Sequence, residues 1–171
     1  MTRFGKCILL LSVGSITPLH SEPLDTVEGF SSLHNMSKSY ARKHEERVVF
    51  CSNESRTGNA IPLEPKLLSF SVAKQKTIIL YLWLLTRKQC SESELEQLMN
   101  QLQGDPNSEK YIAYLKRMSV FDDVTFSTEL LAGEELTDEE LEYVNELIRT
   151  YHEPFDGLET FDLIMEANNS K

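Results

Sequence analysis

An all-α bundle of six or seven helices is the fold that this sequence predicts, and three observations predict it. Apolar residues recur at spacings of three and four along several segments, as in helices with one buried face. Residues 78–85 are apolar on every side, so a helix there has to be surrounded by others. Two segments begin with the Ser/Thr-x-x-Glu pattern that caps a helix. We therefore expect a single helical domain over residues 22–171, centred on a helix at about 66–88.

Residues 1–21 have the composition of a secretory signal peptide. Arg3 and Lys6 supply positive charge, the apolar run 7–13 follows, and no acidic residue occurs before Glu22. This order is typical of a leader that is removed during export. We expect the mature chain to begin near Glu22 and to be periplasmic or secreted. The alternative is that residues 7–13 form a buried strand of a cytosolic protein that keeps its N-terminus.

The first part of the mature chain is expected to form one amphipathic helix, a short extended segment and a loop. Residues 23–48 carry apolar residues at helical spacing, and Asp25 is a suitable N-cap. Residues 48–51 are expected to be extended. The Asn, Ser, Gly and Pro residues within 52–65 predict a loop, and Pro65 suits the first turn of the next helix.

The helix at 66–88 is expected to lie at the centre of the bundle. It contains the apolar run 78–85, which includes Trp83, and it ends with Arg87 and Lys88. The charges of those two residues complement the C-terminal end of the helix dipole. The apolar run is far shorter than the roughly 20 residues that a membrane-spanning helix needs, so we interpret it as a core helix.

The remaining sequence contains the clearest internal pattern. Ser91 and Thr137 each begin a capping box with a glutamate three residues later, and a leucine-containing helical pattern follows. An Asp-Pro or Glu-Pro dipeptide ends each pattern, and an amphipathic segment with aromatic residues comes next. The two copies are either a duplication or the general pattern of capped helices. The apolar residues of the last segment are Phe155, Leu158, Phe161, Ile164 and Met165.

The repeated unit resembles a family of small exported bacterial helical proteins of unknown function. The resemblance covers about residues 91–168 and consists of the Ser/Thr-acidic-Glu-Leu start, the proline break and the aromatic helix. The family usually has a small-Pro-small-Gly break, which is replaced here by Asp-Pro-Asn-Ser at 105–108 and by Glu-Pro-Phe-Asp at 153–156. The resemblance implies an all-α architecture and a periplasmic location, and it implies no catalytic residue.

Charge divides the chain into a basic and an acidic half. Residues 1–90 hold 12 Lys and Arg against 7 Asp and Glu, and residues 91–171 hold 5 against 20, which gives net charges of +5 and −15 and a total of −10. Such an acidic chain is not expected to bind nucleic acid, because phosphates require clustered Lys and Arg. Two interpretations of this asymmetry stay open. The acidic residues are either solvated helix faces with acidic first turns or a surface that attracts a basic protein.

Two of the three cysteines, Cys51 and Cys90, would remain after removal of residues 1–21. In an oxidising compartment this even pair predicts a disulfide that closes a loop of about forty residues. In the cytoplasm the same residues would be free thiols. The predicted pairing therefore depends on export.

The sequence contains no catalytic, metal-binding or cofactor-binding signature. His34 and His44 are ten residues apart, whereas two metal ligands on one helix face are usually four apart. His-Glu-x-x-His, Cys-x-x-Cys and glycine-rich phosphate loops are absent. We therefore predict no metal and no cofactor. A site assembled from scattered carboxylates and His152 stays open, because carboxylates are abundant.

These observations favour a binding protein over an enzyme. We expect an exported inhibitor, immunity-type protein or envelope chaperone that docks a basic protein partner through its acidic half. Two alternatives stay open: a carboxylate-based hydrolase of the cell envelope, and a cytosolic or host-directed regulatory protein with an uncleaved N-terminus. The predicted contact residues lie around the start of the Thr137 helix and form what we call the acidic cluster: Glu134, Glu135, Asp138, Glu139 and Glu142.

Overall fold

The computed structural model of the chain describes residues 23–118, 120–121 and 135–169, and these residues form an all-helical bundle. The predicted all-α fold is confirmed, and the long third helix is the central element, which contacts the first and the last two helices. The leader at 1–21 lies outside the described residues. In chain order the elements are a 3-10 helix (Leu24–Thr26), α1 (Asn35–Thr57), α2 (Pro65–Leu68), α3 (Val72–Gln103), α4 (Glu109–Arg117), α5 (Asp138–Thr150) and α6 (Gly157–Asn169).

Helix α3 is longer than predicted and begins later. Its 32 residues span about 48 Å at 1.5 Å per residue. The Ser71 hydroxyl accepts a hydrogen bond from the Lys74 N–H and caps the first turn, after the separate short helix α2. The predicted helix start at Ser91 is wrong, because Ser91 lies inside α3 and its hydroxyl donates to the carbonyl of Lys88. Ser91 and Glu94 are neighbours three positions apart on one continuous helix.

Two hydrophobic cores lie along α3, one at each end. In the first core, Ile78, Ile79 and Leu82 are fully buried among residues of α5 and α6. In the second core, Leu98 and Leu102 are buried against α4 and the segment before α1. The other buried members are, in the first core, Ile61, Leu67, Tyr143, Val144, Leu147, Phe155 and Ile164, and, in the second, Val27, Phe30, Leu33, Ala41, Tyr111 and Leu115.

Helix α1 corrects two predictions. Residues 48–51 are helical rather than extended, and the predicted loop at 52–65 begins only after Thr57, where α1 ends. The buried stripe of α1 follows helical spacing, but most of its members are small or polar, so it gives little hydrophobic signal. That stripe consists of Ser37, Ala41, His44, Cys51 and Ser55.

The segment before α1 is a series of turns rather than the predicted helix. Asp25 lies within the 3-10 helix and does not cap a longer one. Gly29 has a φ of 83°, and a Cβ on it would lie 2.6 Å from the Tyr111 backbone nitrogen, so the chain needs glycine there. The N-terminus of α1 is stabilised from a distance, because Oδ2 of Asp105 accepts a hydrogen bond from the His34 N–H at 2.8 Å.

The two cysteines join α1 to α3. The sulfurs of Cys51 and Cys90 are 2.07 Å apart and their Cα atoms 6.0 Å, which is disulfide distance. Cys51 is buried, and Arg47 Nε donates to the carbonyl oxygen of Cys90 at 2.8 Å. The packing of α1 against α3 therefore permits the disulfide that is expected for an exported chain.

Helix α6 is held against α3 by its inner face. Gly157 is so close to Trp83 that a Cβ there would lie 2.8 Å from Cδ1 of the indole ring. The indole N–H of Trp83 in turn donates to the carbonyl of Ser55 at 3.2 Å. At the other end of α6, Asn168 Nδ2 donates to Gln75 Oε1 at 3.0 Å. Both ends of α6 are thus fixed, and α6 runs antiparallel to α3.

No helix in the described part of the chain combines the length and the apolar character that crossing a bilayer requires.

Candidate functional site

The acidic cluster lies at the N-terminal end of α5. Glu134 lies outside the described residues. Glu135 precedes the helix, Asp138 and Glu139 are in its first turn, and Glu142 is one turn further on. All four described carboxylates are exposed, and no ion pair joins them to another residue that the structure describes. The four described contact residues are therefore available at the surface.

The start of α5 is built by the capping box that the sequence predicted at Thr137. The Thr137 hydroxyl accepts from the Glu140 N–H at 3.3 Å, and Oε2 of Glu140 accepts from the Thr137 N–H at 2.7 Å. Carboxylates in the first turn also interact favourably with the helix dipole. The capping box and the dipole together explain why α5 begins at this acidic stretch.

Lys74 of α3 fastens this helix end to the centre of the bundle. Its Nζ lies 3.0 Å from Oε2 of Glu140 and also donates to the carbonyl of Glu135. The side chains of Lys74 and Glu140 are only 24% and 10% exposed. Burial acts to raise the pKa of Glu140, but the Thr137 N–H and the Lys74 ammonium outweigh it and hold that pKa below its ordinary value.

Glu140→Gln is expected to destabilise the protein by about 1–2 kcal/mol at neutral pH, because it removes a charge-assisted bond to Lys74. Glutamine still fits the capping box, so the change isolates the charge. A carboxylate whose pKa is lowered by folding contributes stability above its unfolded-state pKa of about 4.3, and that stability is lost as the pH falls through the lower folded value. The difference between wild type and variant in urea unfolding should therefore be full at pH 7 and shrink below about pH 4.

The exposed neighbour Glu139 supplies the control for this experiment. Glu139→Gln should change the free energy of unfolding by less than about 0.5 kcal/mol at neutral pH. A Glu140→Gln difference that stays constant down to pH 3 would contradict the assigned role of the Lys74 pair.

The strongest charge imbalance lies in the last two helices. Residues 135–169 contain eleven Asp and Glu, and Arg149 is their only Lys or Arg. Two lysines from other elements offset part of this charge: Lys74 at Glu140, and Lys66 of α2, whose Nζ lies 3.1 Å from Oε2 of Glu146. The Lys66 pair is about half exposed and contributes little stability. The outer surface of these helices is thus strongly negative.

A shallow depression of about 280 Å³ runs along the exposed side of α5. It places Asp138 and Glu142, two members of the acidic cluster, beside Glu146 and Arg149. Three of its six lining residues are carboxylates and one is a cation, so a partner side chain that entered it would meet a net negative charge. The depression therefore favours a cationic group over an anionic one.

His152 lies in a different depression, of about 300 Å³, formed by residues 58–62 and 150–155. Glu54 and Glu153 also line it. The structure thus brings His152 and two carboxylates to one place, which the hydrolase alternative needs. General acid–base catalysis also needs an oriented proton acceptor, and no hydrogen bond joins His152 to another described residue. The hydrolase alternative stays a prediction.

The other two described histidines lie apart in the structure. His34 is exposed in front of α1, whereas His44 is buried in the α1 stripe, where burial lowers its pKa against the opposing effect of Glu94. Within the described residues, no group of three or more His, Cys, Asp or Glu side chains is placed to hold a metal ion.

One surface feature was not predicted. Leu158 and Met165, which the sequence pattern places in an amphipathic helix, are 61% and 39% exposed on α6. The pattern Leu158-x-x-Phe161-x-x-Ile164-Met165 is wider than a single buried face, because Gly157, Thr160 and Ile164 already form the buried side. The width of this apolar pattern is the feature of the sequence that could have predicted the exposure of Leu158 and Met165.

Comparisons of the chain with protein-family models, with curated proteins and with solved structures found no match. The resemblance to exported bacterial helical proteins therefore stays a prediction.

Proposed function

We propose that this protein is an exported, non-enzymatic binding protein that docks a basic protein partner through the acidic cluster at the start of α5. One observation carries the proposal: Glu135, Asp138, Glu139 and Glu142 are exposed together on a helix end that Lys74 fixes to the centre of the bundle. A rigid set of like charges attracts a complementary surface without first having to be ordered.

Electrostatics of this kind acts mainly on the rate and specificity of association. A single exposed ion pair contributes only about 0.2–1 kcal/mol. Four such ion pairs in one interface would act together with the electric field of residues 135–169, which contain eleven Asp and Glu. This field accelerates the encounter with a basic partner and repels acidic proteins. This form of recognition suits an inhibitor, an immunity-type protein or an envelope chaperone.

Neutralising the acidic cluster is expected to abolish salt-sensitive capture of the partner. Immobilised wild-type protein should retain a basic protein from an envelope extract at low salt and release it at about 0.5 M NaCl, where the Debye length is only a few ångströms. The variant E135Q/D138N/E139Q/E142Q should bind the same protein at least about tenfold more weakly.

A second variant with the same net charge controls for the loss of four carboxylates. E46Q/E92Q/E96Q/E109Q removes four exposed acids from α1, α3 and α4 and should leave the retention unchanged. Equal retention by both variants, or the recovery of no salt-sensitive protein, would contradict the proposal.

Export is the second part of the proposed function. It is supported by the charged and apolar order of residues 1–21 and by the disulfide distance between Cys51 and Cys90. N-terminal sequencing of protein isolated from its native host should find a start near Glu22. An intact N-terminus at Met1 or Thr2 would instead favour the cytosolic or host-directed alternative.

A further inference from the structure

The outer face of α6 carries two exposed apolar side chains in line. Leu158 and Met165 are 61% and 39% exposed and lie seven residues apart, which is two helical turns and therefore the same side of the helix. Phe161, between them, is half-buried against the first core. Single exposed apolar residues are ordinary on protein surfaces, but an aligned pair on a fixed helix forms a stripe. We call Leu158, Phe161 and Met165 the apolar stripe.

The apolar stripe is flanked by negative charge. Glu159 and Asp162 are exposed on α6, and α6 contains no Lys or Arg. Both ends of the helix are fixed, by the contact of Gly157 with Trp83 and by the bond from Asn168 to Gln75. The surface is therefore preorganised, with an apolar line about 10 Å long beside carboxylates.

We infer that the apolar stripe of α6 binds a basic amphipathic helix of the partner. Apolar residues at heptad spacing on that helix would cover Leu158 and Met165, and Lys or Arg at the flanking positions would face Glu159 and Asp162. This inference rests on the proposed function, because it gives the basic partner a secondary structure and a second contact. Desolvated apolar anchors supply affinity, which exposed charge pairs alone do not.

The charge on this face argues against other occupants. In an isologous dimer each carboxylate-flanked stripe would meet its own copy, so like charges would oppose one another. An anionic membrane surface attracts helices whose polar face is basic, and it would repel this acidic one. Charge complementarity therefore selects a basic helix.

Two synthetic peptides of about three heptads test the inference. The first has Leu at positions a and d, Lys at e and g, and Ala or Gln elsewhere; the second has Ser in place of Leu. Wild-type protein should bind the Leu peptide at least about tenfold more tightly than the Ser peptide in fluorescence anisotropy at low salt. In L158S/M165S this difference should disappear, while binding of the Ser peptide stays unchanged.

A matched pair of exposed apolar residues on α1 provides the control. Met36 and Val49 are 61% and 42% exposed, and M36S/V49S should keep the full preference for the Leu peptide. Circular dichroism should show that both variants remain folded, as expected for changes at exposed positions.

If L158S/M165S keeps the preference for the Leu peptide, or M36S/V49S loses it equally, the apolar stripe is not the binding surface and the inference is overturned. The acidic cluster can still dock a partner in that case. If wild-type protein binds neither peptide, the inference and the proposed recognition of basic partners are both contradicted. If sedimentation shows a wild-type dimer that L158S/M165S abolishes, the stripe's occupant is a second copy and the inference is overturned.

Discussion

Leu82→Ala is expected to lower the free energy of unfolding by about 2–5 kcal/mol. Leu82 is completely buried on α3, in the core that also anchors α5 and α6. Its truncation removes apolar contacts and leaves a cavity that the surrounding helices fill only in part. Because small domains are stable by only about 5–15 kcal/mol, this loss is a large fraction of the total. Urea unfolding followed by circular dichroism measures it.

The same substitution at an exposed leucine provides the comparison. Leu158→Ala should change the free energy of unfolding by less than about 0.5 kcal/mol, because the side chain is 61% exposed. Should Leu82→Ala fail to fold, the milder Ile79→Val is expected to cost about 0.5–1.5 kcal/mol. Equal losses for Leu82→Ala and Leu158→Ala would contradict the central position of α3.

Removing the cross-link with C51A/C90A is expected to cost about 3–4 kcal/mol. The bond closes a loop between residues 39 apart in sequence and joins α1 to α3, so its loss frees the unfolded chain and loosens the contact between the two helices. Reducing agent should lower the stability of wild-type protein by a similar amount and leave the double variant unaffected. Two free thiols in native protein purified from its host would contradict the cross-link.

The C-terminal helices were predicted well because their signals are local. Thr137 and Glu140 form the capping box within one turn, and the proline at 154 separates α5 from α6. Such features depend on residues three or four positions apart, so a sequence pattern contains them. The exposure of Glu135, Asp138, Glu139 and Glu142 follows from the same helix start, since its inward positions belong to Glu140, Tyr143, Val144 and Leu147.

The first half of the chain was predicted less well because distant contacts decide its structure. Residues 48–51 continue α1, and Cys51 there pairs with Cys90 of α3, a contact that no local pattern contains. The buried stripe of α1 is also short of large apolar side chains, so a hydrophobic periodicity could not extend the helix to Thr57. Tertiary packing overrides weak local preference in such segments.

The helix boundary expected near Cys90 shows how a cap pattern misleads. Ser91 and Glu94 match a capping box, yet Leu98 and Leu102 continue the buried side of α3 into the second core. A helix that still has apolar surface to bury does not stop at a suitable cap. The helix instead ends at Gly104, after that surface is used.

Two parts of the candidate site could not be predicted. The pairing of Lys74 with Glu140 joins residues 66 apart in sequence. The exposure of Leu158 and Met165 depends on which side of α6 faces α3, and the side that faces it contains Gly157, which lies against Trp83. Both features require the packed structure, in which separate helices meet.

Recognition of a basic protein by the acidic cluster is tested by the salt dependence of partner binding. The dissociation constant of the captured partner would be measured from about 0.05 to 0.5 M NaCl for wild-type protein, E135Q/D138N/E139Q/E142Q and the charge-matched E46Q/E92Q/E96Q/E109Q. We predict that affinity falls steeply with salt for wild-type protein and the charge-matched variant, and only weakly for the acidic-cluster variant. Identical salt dependence for all three proteins would show that the acidic cluster is not the docking surface.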